Sequence, residues 1–105
     1  MRQHPPANSI FGRRLHALRL AAGLAQDRLG VLLDLDEGTA SARMSRYENG
    51  VHEPPTGFVG KLAEHFGVPV AYFYCEDDDL AEVVAAFPHL DRKRKVALLS
   101  LIRDA

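Results

Sequence analysis

The heptapeptide Met-Ser-Arg-Tyr-Glu-Asn-Gly that begins at Met44 constrains the fold of this chain more than any other stretch. Met44 and Tyr47 lie three residues apart, so in a helix they share one face that can pack into a core. Arg43 and Arg46 then point away from that face, and Gly50 follows as a typical C-terminal end of a helix. The pattern predicts a short helix with one buried face and a free basic face that suits an elongated polyanionic groove.

Helical periodicity of apolar residues continues on both sides of this stretch. Asn8 or Ser9 can cap a first helix that Gly23 ends. Thr39 is the better of two candidate caps for the third helix, and Thr56 is suited to cap the fourth. The expected helices, the last of them short and mostly buried, span residues 10–22, 26–33, 39–49, 56–66 and 70–74.

These five segments carry, in order, residues that are typical of one protein family. They are Leu15, Leu18 and Arg19; Gly23, Leu24, Ala25, Gln26 and Leu29; Met44, Ser45, Glu48, Asn49 and Gly50; Pro55, Leu62, Ala63, Phe66, Gly67 and Val68; and the aromatic run at 70–74. Over residues 11–74 the chain resembles the helix-turn-helix of the XRE family, the Cro-like and phage-repressor-like bacterial regulators. The resemblance implies an all-α fold, namely a five-helix repressor-like helix-turn-helix bundle with one or two additional C-terminal helices. We therefore expect a flexible arm at 1–8, a DNA-binding domain at 9–75 and a helical extension at 76–105 that serves dimerisation.

The resemblance makes residues 39–49 the recognition helix, which enters the major groove of double-stranded DNA. The DNA contacts that it implies are made by Gln26, Ser41, Ala42, Arg43, Ser45, Arg46 and Asn49. An arginine can donate two parallel hydrogen bonds to guanine, so Arg43 and Arg46 are the candidates for base or phosphate contact. The alternative for each of the two arginines is an ordinary solvated charge.

The other candidate contacts also have simpler alternatives. Ala42 can touch a thymine methyl group or merely pack, and Ser45 suits a phosphate better than a base. Asn49 is either a phosphate donor or a helix terminator. In the family, the glutamine at the position of Gln26 anchors the second helix to the DNA backbone and braces the recognition helix; otherwise it is simply a good helix residue.

Arg19 and Glu48 carry charges that could be functional, but the resemblance implies an internal ion pair between the first and third helices. Losing one partner of a buried pair costs about 3–5 kcal/mol, because the other charge is left unpaired. We therefore expect substitutions at these positions to abolish DNA binding through unfolding rather than through a lost contact.

The chain departs from the family in three places. The connection at residues 34–39 is about four residues longer than usual, so either the second helix gains a turn or the connection becomes a loop. Gly30 stands where alanine is usual, at a cost of about 1 kcal/mol in helix propensity, but it permits a close helix approach. Residues 51–54 are neutral to acidic where the family often has cations, which predicts weaker phosphate binding.

The C-terminal extension begins with an acidic run at residues 76–79, which is typical of a solvated hinge and lacks the pattern of a calcium-binding loop. Asp79 and Glu82 suit a capping box for a helix that Pro88 breaks. Asp91 can cap a last helix that runs almost to the C-terminus.

That last helix is too apolar for a solvated terminus. Its apolar residues are Val96, Leu98, Leu99, Leu101 and Ile102. We expect a twin subunit to cover them, which would make the protein a homodimer, and a different protein partner is the alternative. The basic residues 92–95 at its start are either a second DNA-binding patch or an exposed polar face.

Composition excludes several classes of function. A single cysteine, Cys75, precludes an intramolecular disulfide and a cysteine-rich zinc site, and it fits a cytoplasmic, nucleoid-associated protein. Cys75 itself is either a small apolar residue or a redox sensor. The five histidines are dispersed without metal-ligand spacing. We expect no cofactor, no metal and no enzymatic activity, and we find neither a signal peptide nor an apolar run that could span a membrane.

The expected function is that of a sequence-specific transcriptional regulator. It would be a homodimeric repressor in a prokaryotic or phage setting that binds a near-palindromic operator. The alternative is an antitoxin-like or adaptor protein whose apolar C-terminal helices bind a protein partner, with DNA binding secondary. The net charge of −1 favours the alternative, whereas Gln26, Arg43 and Arg46 favour DNA.

Overall fold

The computed structural model describes residues 9–105, and within that range the protein contains six α-helices, two short 3₁₀ helices and no β-strand. The α-helices are α1 (Ile10–Ala21), α2 (Gln26–Leu32), α3 (Ala40–Glu48), α4 (Thr56–Phe66), α5 (Asp78–Ala86) and α6 (Arg92–Arg103), and the 3₁₀ helices are Val70–Tyr74 and Phe87–His89. The predicted all-α fold class is confirmed, and every predicted helix is present, with ends that differ by about one or two residues. The arm predicted for residues 1–8 lies outside the described residues.

Helices α1 to α4 and the first 3₁₀ helix enclose one hydrophobic core. Its largest fully buried side chains are Leu15, Leu29, Met44, Val59, Leu62 and Phe73. The rings of Phe11 and Phe73 lie 5.2 Å apart and join α1 to the 3₁₀ helix. The rings of Tyr47 and Phe58 lie 5.4 Å apart and join α3 to α4. Because burying one large apolar side chain contributes about 1.5–3 kcal/mol, these contacts fix the position of α3 in the bundle.

The caps of α3 and α4 differ from the sequence prediction. Of the two predicted caps of α1, Ser9 is the one used, because its extended backbone lets Oγ accept from the amide three residues later at 2.9 Å. Thr39 does not cap α3: its ψ of −4° is not extended, and its hydroxyl donates instead to the carbonyl of Asp36. Thr56 does not cap α4, because the extended residue at the start of that helix is Pro55, which has no side-chain acceptor.

The capping box predicted for Asp79 and Glu82 is also wrong. The N-cap of α5 is Asp77, whose backbone is extended and whose Oδ1 accepts from the amide three residues later at 2.9 Å. Asp79 therefore lies inside the first turn of the helix. Residues 76–79 are all exposed, as expected of a solvated segment, but Arg14 of α1 pairs with the neighbouring Asp78 at 2.9 Å and donates to the carbonyl of Glu76 at 3.2 Å, so the segment also contacts the bundle.

The long connection between α2 and α3 is a loop and not an extra turn of α2, which decides between the two alternatives. Helix α2 ends at Leu32, and Asp34 adopts a left-handed φ of 69°. The amides of Asp34 and of the next residue donate to the carbonyls of Val31 and Gly30 at 3.0 and 2.9 Å. This Schellman pattern satisfies the C-terminal carbonyls of α2, so the inserted residues cannot prolong the helix.

Two glycines let neighbouring helices approach α3 closely. A Cβ atom on Gly12 of α1 would overlap the carbonyl oxygen of Glu48. A Cβ atom on Gly30 of α2 would lie 2.8 Å from the Cβ atom of Ala40, closer than packed carbon atoms approach. Gly30 thus permits the close approach that the sequence predicts, whereas the contact of Gly12 was not predicted.

Candidate nucleic-acid interface

Helix α3 has one face in the core and one face free. Its buried residues are Ala40, Met44, Tyr47 and Glu48. On the opposite side, Ala42, Ser45, Arg46 and Asn49 follow the i, i+3, i+4, i+7 spacing that aligns side chains along a helix, and we call these four residues the outer stripe. The exposed Ser41 and Arg43 flank the outer stripe on its two sides.

The side chains of Arg43 and Arg46 are exposed, and they make no hydrogen bond or ion pair within residues 9–105. Arg46 lies near the middle of the outer stripe, whereas Arg43 lies at its edge. The guanidinium group of Arg46 therefore stands on a helix that the core holds in place, with all of its donors available to a ligand. A planar cation in this setting suits a guanine edge or a phosphate.

Ser45 and Asn49 hold each other in place on the outer stripe. Both are half-buried, and the side-chain amide of Asn49 donates to Oγ of Ser45 at 3.2 Å. The hydroxyl proton of Ser45 remains free to donate. Asn49 is also the C-cap of α3, and Gly50 follows with a left-handed φ of 73°. Asn49 therefore also ends the helix.

Gln26 is the first residue of α2, and its side chain reaches the end of α3. Its Nε2 atom donates to Oε1 of Glu48 at 3.4 Å, which is long for a hydrogen bond. Gln26 is half-buried, and Glu48 is buried. The contact joins the start of α2 to the last residue of α3. The geometry matches the bracing part of the role that the resemblance implies for Gln26.

Arg19 and Glu48 form a buried ion pair between α1 and α3. Their relative exposures are only 8% and 3%, and Nη2 of Arg19 donates to Oε1 of Glu48 at 3.0 Å while Nε donates to Oε2. The third nitrogen, Nη1, donates to the carbonyl of Leu24 in the α1–α2 turn at 2.8 Å. One guanidinium group thus connects three parts of the helix-turn-helix.

The environment of Glu48 keeps its carboxylate ionised. Burial alone raises its pKa, but hydrogen bonds from Arg19 and His16, the charge of Arg19 and the hydrogen bond from Gln26 outweigh burial, and the pKa of Glu48 lies below its ordinary value of 4.5. Sequence reasoning missed His16, whose Nδ1 lies 2.8 Å from Oε1 of Glu48. The sequence could have indicated this contact, because His16 precedes Arg19 by three residues and so shares a helix face with it.

Other candidate features lie away from α3 or carry no site. Cys75 is buried, and its thiol donates to the carbonyl of Ala71. The basic residues 92–95 belong to α6 and not to the recognition helix. Within residues 9–105 no group of three potential metal ligands comes together. No helix in that part of the chain has the length and hydrophobicity needed to cross a membrane.

Comparison with known proteins agrees with this geometry. Residues 10–72 match the family described as a helix-turn-helix domain. Among solved structures, the transcriptional regulator BswR is 40% identical in sequence, with a TM-score of 0.81 over 90% of this chain and 93% of that chain. No match was found among curated protein sequences. The chain belongs to the helix-turn-helix domain family, and the predicted likeness to helix-turn-helix transcriptional regulators is confirmed.

Proposed function

We propose that this DNA-binding regulator is a sequence-specific, homodimeric repressor of the XRE type that places α3 in the major groove of a near-palindromic operator. The observation that carries the proposal is the outer stripe, in which Arg46 has no partner within residues 9–105 while the opposite face of α3 is buried. Arg46 and Ala42 would meet base edges. Ser41, Arg43, Ser45, Asn49 and Gln26 would meet bases at the rim or the phosphate backbone.

The weak electrostatic attraction between one subunit and DNA makes dimerisation more necessary for this function. The net charge is −1, and the residues after α3 include the exposed His52 and Glu53 instead of cations, so each subunit would release few counterions from DNA. Two α3 helices related by a two-fold axis would read half-sites about 34–36 Å apart, or a multiple of that distance. A dimer bound over a promoter would repress transcription by excluding the polymerase.

The second candidate is an antitoxin-like or adaptor protein that binds another protein through its C-terminal helices. It is favoured by the exposed apolar side chains of α6, of which Leu101 is 71% and Ile102 59% exposed. In that case DNA binding would be secondary, and substitutions on α3 would leave the main activity unchanged.

Selection of random duplex DNA by the purified protein, followed by fluorescence anisotropy on the enriched duplex at several salt concentrations, tests the proposal. Each lost bidentate arginine contact costs about 1–3 kcal/mol, so Arg46→Ala in both subunits should weaken specific binding by about 30-fold or more. Its melting temperature should change little, because the side chain is exposed. The control is Arg13→Ala, which removes an equal charge from the exposed side of α1, away from both α3 and α6.

An enriched near-palindrome that Arg46→Ala no longer binds, with Arg13→Ala behaving as wild type, supports the repressor assignment. Equal loss in both variants would indicate nonspecific electrostatic attraction. Wild-type affinity of Arg46→Ala would contradict the proposed reading face, and failure of the wild type to enrich any duplex would favour the protein-binding candidate.

A further inference from the structure

Helix α6 lacks the burial that a helix of its length needs. All twelve residues of Arg92–Arg103 are exposed or half-buried, and none is buried. Isolated helices shorter than about 12–15 residues are marginal in water, and most helical stability in proteins comes from packing of an apolar face. The Cα radius of gyration of 15.6 Å also exceeds the roughly 13 Å expected for a compact chain of this size. Helix α6 therefore extends from the rest of the protein and leaves apolar surface without a cover.

A groove of about 330 Å³ runs between α5 and α6. Its apolar lining consists of Val83, Ala86, Phe87, Leu90 and Leu98. Two carboxylates, those of Asp79 and Glu82, complete the lining, and neither forms an ion pair within residues 9–105. An apolar floor beside two unpaired acids suits an amphipathic helix that carries cations next to apolar side chains.

The first turn of α6 supplies such cations. Within the described part of the chain, Arg94 pairs with Asp91 at 2.9 Å, and Nζ of Lys95 lies 5.4 Å from the centre of the Phe87 ring. Arg92 and Lys93 are exposed and form no ion pair there. Cations at a helix N-terminus oppose the helix dipole, so an external partner with negative charge would stabilise this end of α6.

We propose that the groove between α5 and α6 holds α6 of a second copy of this chain. Arg92 and Lys93 of each copy lie against Asp79 and Glu82 of the other, and Val96 and Leu101, which share the Lys93 side of the helix, are covered in the same contact. The acidic groove and the basic, apolar helix occur in one chain, which is the self-complementarity that a two-fold interface requires. The inference rests on the homodimer of the proposed function and names the surfaces that form it.

Charge reversal in the full-length protein tests this pairing without DNA. One variant carries Asp79→Lys and Glu82→Lys, and the other carries Arg92→Glu and Lys93→Glu. Each alone brings like charges together at both contacts of the dimer, so sedimentation equilibrium at low salt should show at least about a tenfold rise in the dimer dissociation constant. An equimolar mixture restores opposite charges at both contacts and should return to within about threefold of wild type.

Leu101→Lys is a second variant that does not depend on the acids, and because Leu101 is 71% exposed it should fold as wild type does while weakening dimerisation. A monomeric wild type, charge variants as dimeric as wild type, or a mixture that stays monomeric would each overturn the inference. If a charge variant fails to fold, wild-type dimerisation of Leu101→Lys overturns it. Arg46→Ala should remain dimeric, so a failure of DNA recognition is distinguished from a failure of this interface.

Discussion

Glutamine in place of Glu48 preserves the size of the side chain and removes its charge. Arg19, only 8% exposed, would then hold an unpaired cation inside the bundle. Breaking a buried pair in this way costs about 3–5 kcal/mol. In a domain of this size, 1 kcal/mol lowers the melting temperature by about 4–8 °C. We therefore expect Glu48→Gln to lower the melting temperature by about 12 °C or more.

Thermal unfolding followed by circular dichroism at neutral pH measures this change. The matched control is Glu53→Gln, because Glu53 is an exposed acid without an ion pair in the described part of the chain, and such changes stay within about 0.5 kcal/mol. DNA binding by Glu48→Gln should persist well below its melting temperature, since Glu48 is buried and does not face the groove. If Glu48→Gln has the same melting temperature as the control, the structural role of the ion pair is refuted.

Two further predictions concern the same junction of α1 and α3. Because the folded pKa of Glu48 lies below its ordinary value of 4.5, its contribution to stability is complete above about pH 4.5 and is lost as the pH falls through the folded pKa. Urea unfolding of wild type and Glu48→Gln should therefore converge on acidification, and a constant difference in unfolding free energy would contradict this. Gly12→Ala should destabilise the protein by about 1–3 kcal/mol, because the added Cβ overlaps the carbonyl of Glu48; an unchanged urea midpoint would mean that α1 can shift without cost.

The elements that the sequence predicted best are those set by contacts within one or two helical turns. The apolar spacing of Met44 and Tyr47 was enough to orient α3, because side chains three and four apart share a helix face in any fold. The cap at Asp91 was also correct, and its Oδ1 accepts from the amide of Arg94 at 2.8 Å. The caps at Thr39 and Thr56 failed, because a cap requires extended backbone, and the path of the chain into each helix decides that.

The sequence by itself determined the class of fold, the order of the helices and the two arginines on α3, since helical periodicity and glycine stops are local properties. Tertiary structure alone brought His16 to Glu48 across 32 positions and fitted Gly12 against α3. Tertiary structure also made residues 34–39 a loop. It formed a groove between α5 and α6 that the apolar pattern of neither helix predicted. These features depend on packing between distant segments, and no local periodicity encodes which distant atoms will meet.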